Sequence, residues 1–368
     1  QRNEALSLRA TDSARDLIAT RPTDAAALAL AAYRLTPTVE ARDVLVLAHA
    51  AAEATTLGRG YVHPPGRFAV TYDTRTLGER LWRRDGETWR QAGSLPTANS
   101  YLHMNSLDER RAIYWSGNTR SQLWDLADLD RPRSVRVPAG LGLMQGMDRT
   151  GSLLSALGPD RTARVWRVGD RSVRTLPARD VVGTAVLADG TGVVLSRRTG
   201  DQDTIERWTV DGRRISTLLQ APHPAIVRAG PAGLIAVTAY QDDTTTTVLD
   251  VADPHAPRVV ARVSGLDETT DLAFDAAGRT VAVVDGAGAR IWDTATGRDL
   301  LRLHTQGLRL SSPRLSGNDL FVLDGKSAMW LINPDLAAVI QQTCERPVTV
   351  DWHRYFPGTS PRPLCPPR

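Results

Sequence analysis

Two hydrophobic periodicities divide the chain. Up to about residue 50, apolar side chains recur three to four positions apart, as in Leu6, Ala10, Ala14, Leu17 and Ile18, the spacing of one helix face. This predicts two or three helices: Ala5 to Ala19, Ala25 to Leu35, and a third with Pro37 at its first position and Glu40 in its first turn. Further on the pattern becomes short β-prone runs such as Arg111-Ala112-Ile113-Tyr114, Gly192-Val193-Val194-Leu195, Leu234-Ile235-Ala236-Val237 and Thr280-Val281-Ala282-Val283. Turn residues precede such runs, at Pro65-Gly66, Asp108-Glu109, Asp148-Arg149, Asp189-Gly190, Gly230-Pro231, Asp275-Ala276 and Gly317-Asn318.

A second series runs in step with the turns. Trp82, Trp124, Trp166 and Trp208 recur every 42 residues, and steps of 41, 43 and 38 lead to Leu249, Trp292 and Trp330. Seven anchors at a period near 40 to 45, six of them 16 to 20 residues after a turn and the last 13, predict seven blades of four strands, an all-β seven-bladed propeller. A Trp near the end of each third strand buries roughly 150–250 Å², an upper bound of about 4–6 kcal/mol, and stacks one blade on the next. Asn118, Asp160, Asp243 and Asp324, six residues before their anchors, suit the turn between second and third strands, where a short side chain accepts backbone N–H bonds. The predicted organisation is a helical lead-in over 1–50, a propeller over 51–333 and a C-terminal helix and tail over 334–368. After Trp330 the chain reads as a capped helical turn, so the last blade lacks its outer strand, and a strand near 53–57 is placed to close the ring.

From about Gly60 to Asn333 the chain resembles a divergent WD-repeat propeller, the best blade running from Asp271 to Asp293 and ending Ile291-Trp292-Asp293. The Gly-His pair that usually opens each such repeat is absent. The stretch from Ala29 to Arg42 is similar to the helical lead-in of actinobacterial WD-repeat proteins, and the tail Cys344-Glu345-Arg346-Pro347, Trp352 to Gly358 and Pro363-Leu364-Cys365 resembles their ending. That resemblance implies the outward-facing sensor or scaffold part of a membrane-linked signalling protein, tethered through a segment ahead of Gln1. Cys344 and Cys365 are either two free thiols or a bridge worth roughly 3 kcal/mol, and the resemblance, with a cysteine at each place, favours the bridge and an oxidising compartment.

Charge changes this picture little. Of 45 basic residues only Lys326 is not Arg, and the 41 acidic residues are interleaved with them, leaving no run that would mark a nucleic-acid site. The longest apolar stretch, Val44 to Ala52, is too short for a membrane span. Catalytic signatures are missing: Gly325-Lys326-Ser327 copies the end of a phosphate loop without its first glycine, and Asp201, Asp203 and Glu206 read as a solvated loop rather than a calcium site. No cofactor or metal is implied.

Of the seven histidines, His103, His223 and His304 fall in or near connections entering the first strand of a blade, which converge on one face around the channel. That face, with Tyr101, His103, Trp115, Met144, Gln145, His223 and His304, is the candidate binding surface, and Trp115 stands out as a Trp outside the anchor series. Two function classes follow. One is a non-catalytic platform for a protein, peptide or cell-envelope ligand; the alternative is a propeller enzyme of hydrolase or lactonase type, or a carbohydrate-binding propeller. Convergent histidines and carboxylates in the channel would favour the enzyme, and scattered aromatic and Arg contacts the platform.

Overall fold

The helical periodicity at the start of the chain produces three helices, α1 (Arg2–Leu17), α2 (Pro22–Leu35) and α3 (Val39–Ala52). Pro22 opens α2, whereas α3 starts two residues after Pro37, because the Thr38 hydroxyl accepts the Ala41 N–H at 3.2 Å and fixes the cap there. These details come from a computed structural model that describes residues 1–54, 62–63, 68–73, 78–85, 88–96, 101–116, 120–240, 244–266, 271–285, 288–305, 310–316, 319–324 and 329–365. Among the described residues no helix is long and apolar enough to cross a membrane.

The alternating part of the chain forms seven antiparallel sheets in sequence order, blades 1 to 7, over 62–95, 101–135, 143–175, 181–222, 225–266, 271–304 and 310–332. Blades 1 to 6 have four strands, here a to d, each paired with the next along the chain; blade 7 has three described strands. Strand a of blade 4 (Val181–Val186) packs against strand a of blade 3 (Leu143–Met147) and of blade 5 (Ala225–Ala229), so the a strands line the central channel. The a–b and c–d turns then lie on one face of the ring, and the b–c turns and d–a crossings on the other.

All seven anchors sit in strand c, and they show how the blades adhere. Trp124 lies in the apolar layer between blades 1 and 2, Trp166 between 2 and 3, and Trp208 between 3 and 4. Leu249 fills the layer between 4 and 5, Trp292 that between 5 and 6, and Trp330 that between 6 and 7. Each of these anchors therefore packs against the preceding blade. Trp82, in blade 1, is only half-buried and donates its Nε1–H to Thr71 Oγ1 at 2.8 Å. Of the Asp and Asn expected in b–c turns, Asp160 accepts from Thr162 Oγ1 at 2.7 Å in such a turn; Asn118, Asp243 and the Asp324 side chain lie outside the described residues.

Among the described residues, blade 7 is flanked by helices. The helix α3 packs along its last strand (Met329–Ile332), and α1 to α3 share one continuous core with blades 6 and 7, α4 (Leu336–Cys344) and α5 (Trp352–Tyr355). The strand expected near 53–57 falls on Glu53 and Ala54, which follow α3 as a turn, and on 55–57, which lie outside the described residues. Cys344 and Cys365 are joined in a disulfide, so the bridge and not the free thiols is present. The tail it closes grips α2: Arg362 Nη1 donates to Arg34 O at 2.9 Å, and Arg34 Nε donates to Leu364 O at 3.2 Å. Phe356 and Trp352 are buried beneath it. Buried His49 links α3 to α4 through Gln342 Oε1 at 3.1 Å and Thr343 Oγ1 at 3.2 Å, and burial lowers its pKa.

Candidate functional site

Strand a of blade 2 (Tyr101–Asn105) and strand b (Arg111–Ser116) bring together most of the residues singled out in the sequence. Tyr101 and Trp115 face each other in register, although the Tyr101 side chain lies outside the described residues. The His103 ring stacks on the Trp115 indole, with centroids 3.5 Å apart and planes 14° from parallel. Trp115 Nε1 donates to Met144 O at 2.8 Å, which ties the stack to blade 3. Next to it Gln145 Oε1 accepts the Thr184 N–H of blade 4 at 3.0 Å. Met144 itself is fully buried between blades 2 and 3, so its side chain offers a ligand no surface and only its carbonyl takes part.

Two histidines stand apart from this group. His223 Nδ1 pairs at 3.0 Å with Asp203, which is fully buried and also accepts the Ala225 N–H at 2.7 Å. His304 Nδ1 pairs with Asp43 of α3 at 3.2 Å, fastening the helices to the crossing between blades 6 and 7. Of the acidic cluster, Asp201 does lie in an exposed turn, but Asp203 and Glu206 are not in a solvated loop. Asp203 and Glu206 lie buried in strand c of blade 4 (Gln202–Thr209), where Glu206 takes Arg197 Nη1 at 3.1 Å, Arg214 Nε at 3.0 Å and Trp208 Nε1 at 3.0 Å. Burying carboxylates is tolerable only with such partners. Among the described residues no three His, Cys, Asp or Glu side chains stand close enough together to hold a metal ion.

The channel holds what the sequence reading missed. Along strand a of blade 5, Ala225 and Val227 are buried while Ile226 and Arg228 are exposed, so the latter two face the lumen. Arg228 Nη1 donates to Asp271 Oδ1 of blade 6 at 2.5 Å, and that carboxylate raises the guanidinium pKa. Tyr240 stands near both: its pKa is raised by burial, with Arg228 opposing. Burial, helped by the Arg228 charge, pushes His103 down from 6.5 to about 3, so its ring is neutral at physiological pH. The signal was a charged residue amid the apolar run Ala225-Ile226-Val227-Arg228-Ala229. Its partner, 43 residues away on the next blade, has no local signature.

Contacts across the ring bridge the opposite mouth. Arg314 of blade 7 pairs with Glu109 of blade 2 at 3.1 Å, and Arg149 of blade 3 donates to Ala276 O of blade 6 at 3.2 Å. Glu109 has φ +56°, a left-handed conformation that glycine supplies in the equivalent a–b turns of blades 3, 4 and 6 (Gly151, Gly190, Gly278). Ser312, at a bulge just before Arg314, has φ +52°. Both ends of this ion pair thus sit at backbone exceptions.

No family model matches the sequence, and no curated protein matches it. Solved structures do. The β-propeller domain of Cps50 (Swd1) from Myceliophteria thermophila superposes with a TM-score of 0.52 at 15% identity, covering 76% of this chain and 98% of that one. A chain of the mitotic checkpoint complex matches with a TM-score of 0.52 at 13% identity, covering 75% of this chain and 90% of its own. The fold they share is the β-propeller, here of seven blades. At these identities the likeness is one of architecture.

Proposed function

We propose that the face around the channel mouth is a non-catalytic platform that captures a protein or peptide partner. The observation that carries this reading is the exposed apolar Ile226 beside a partly exposed Arg228–Asp271 pair in the lumen, with the neutral, half-buried His103–Trp115 stack, whose indole also packs on the layer between blades 2 and 3. Flat aromatic surface next to an anchored Arg is what recognition sites use. The enzyme reading asks for convergent acid–base groups, whereas His103, His223 and His304 have three separate partners, Trp115, Asp203 and Asp43. One structural neighbour is a chain of the mitotic checkpoint complex, and its place in an assembly supports the same class of role here. The disulfide supports an oxidising, extracytoplasmic setting, and with the actinobacterial resemblance it fits a sensor or scaffold tethered to a membrane and open to a cell-envelope ligand.

The test is site-specific photocrosslinking from Ile226 in the lumen, with Val259 on the outer edge of blade 5 as the control. A partner captured from Ile226, not from Val259, and lost on Trp115→Ala is the expected result. Equal capture at both positions, or capture indifferent to Trp115, would remove the platform from this face.

A further inference from the structure

On the opposite face, we infer that a cleft between blades 4 and 5 is a binding site for a small organic oxyanion, a carboxylate or a phosphomonoester. It is independent of the platform above. The cavity, of about 360 Å³, is walled by the a–b turns of blades 3, 4 and 5 and the c–d turn of blade 5. Arg149 and Arg207 line it together with Leu187, Val251, Ala232 and Ala252, and its single acidic residue is Asp189. This volume suits a small molecule.

The charges of the cleft point to its ligand. Several channel and edge arginines are paired with carboxylates, as in Arg228 with Asp271, Arg314 with Glu109, Arg197 with Glu206 and Arg164 with Asp160. Arg149 and Arg207 are held by neutral oxygens instead. Arg149 Nη2 donates to Ala276 O at 3.2 Å; Arg207 Nη1 donates to Val251 O at 2.5 Å, Nη2 lies 3.5 Å from Thr191 Oγ1, and Nε is buried without an acceptor. Carbonyl and hydroxyl partners position a guanidinium without neutralising it, so two positive charges with spare donors share one cavity. Asp189, which is exposed and whose Oδ1 accepts from the Thr191 N–H at 2.9 Å and Oγ1 at 2.8 Å, offsets one of the two charges and leaves the cleft lining net positive.

A guanidinium offers parallel N–H donors that match carboxylate and phosphate oxygens, and two of them in one cavity favour a dianion. The apolar wall formed by Leu187, Val251 and Ala252 gives an organic body something to pack on, which free water or chloride would not use. The left-handed Ala232 (φ +54°) and Gly233 (φ +76°) keep the blade 5 turn tight at the cleft's lip.

Isothermal titration of the whole chain with succinate, inorganic phosphate and acetate at low salt tests this. The expected result is saturable one-to-one binding of a dianion, weaker for acetate, falling at least tenfold in Arg149→Gln and in Ala252→Glu. The second variant sets a carboxylate at the exposed lip without touching Arg207, whose own bond to Val251 O is structural. Tighter succinate would identify the head group as carboxylate, and tighter phosphate as phosphoryl; Trp115→Ala should leave both unchanged. Binding that never saturates, or that survives both cleft variants with their melting curves intact, overturns the site.

Discussion

Blade 4 and blade 7 solve the same packing problem differently. Blade 4 has four strands, and its two faces contribute to layers with blades 3 and 5 built from strands and their connections, without a helix. Blade 7 has three described strands and draws on α1 to α5 for the rest of its core. Repetition suffices where a blade has like neighbours on both sides. Where the ring must close, the chain switches to non-repeating devices: helices from both ends, a disulfide, and ion pairs that reach across.

The largest expected asymmetry comes from reduction. Breaking Cys344–Cys365, which spans 21 residues, should cost about 3 kcal/mol, and amide exchange should speed up in α2, α4 and α5 while strands b and c of blade 4 stay protected. Uniform acceleration through the ring would show that both blades belong to one cooperative unit.

A smaller effect is expected at the strap between blades 7 and 2. Glu109→Gly relieves a left-handed residue, worth roughly 1–2 kcal/mol, but removes the carboxylate facing the enclosed Arg314 guanidinium, worth about 3–5 kcal/mol. The net should be a loss of about 1–4 kcal/mol in urea melts, largely recovered by adding Arg314→Met. A gain from Glu109→Gly alone would mean the strap holds nothing.

The smallest effect concerns the layer between blades 1 and 2. There burial raises Glu79 from 4.5 to about 7, with the neighbouring Tyr114 hydroxyl a weaker, opposing influence. A carboxyl whose folded pKa lies above its unfolded value stabilises the fold below pH 4.5, and that stabilisation is lost as pH rises through 7. Glu79→Gln should therefore gain on the parent by about 1 kcal/mol at pH 8 and draw level near pH 4. A constant difference across that range would assign the effect to packing alone.

The ring was legible because its information is periodic. Trp124, Trp166, Trp208, Leu249, Trp292 and Trp330 repeat for one physical reason, each filling the gap to the preceding blade, and periodicity can be read without coordinates. Trp115 was legible as the exception to that period. The partners of His223 and His304 were not, since Asp203 looked like a loop residue and Asp43 lies 261 positions from His304 on an apolar helix. Glu109 was legible as a turn residue but not as a left-handed one, because a left-handed residue that is not glycine shows only in the backbone angle.

The sharing of one core between α1 to α3 and the last blade has a consequence for synthesis. The apolar face of α3, completed at Ala52, meets its strand only when Met329 to Ile332 have been made. At the usual 5–20 residues per second this delay is on the order of tens of seconds. During it the Ala-rich helices lack the strand they pack on while the middle blades emerge and pair, so the joint between helices and last blade can form only after the rest of the ring has been made.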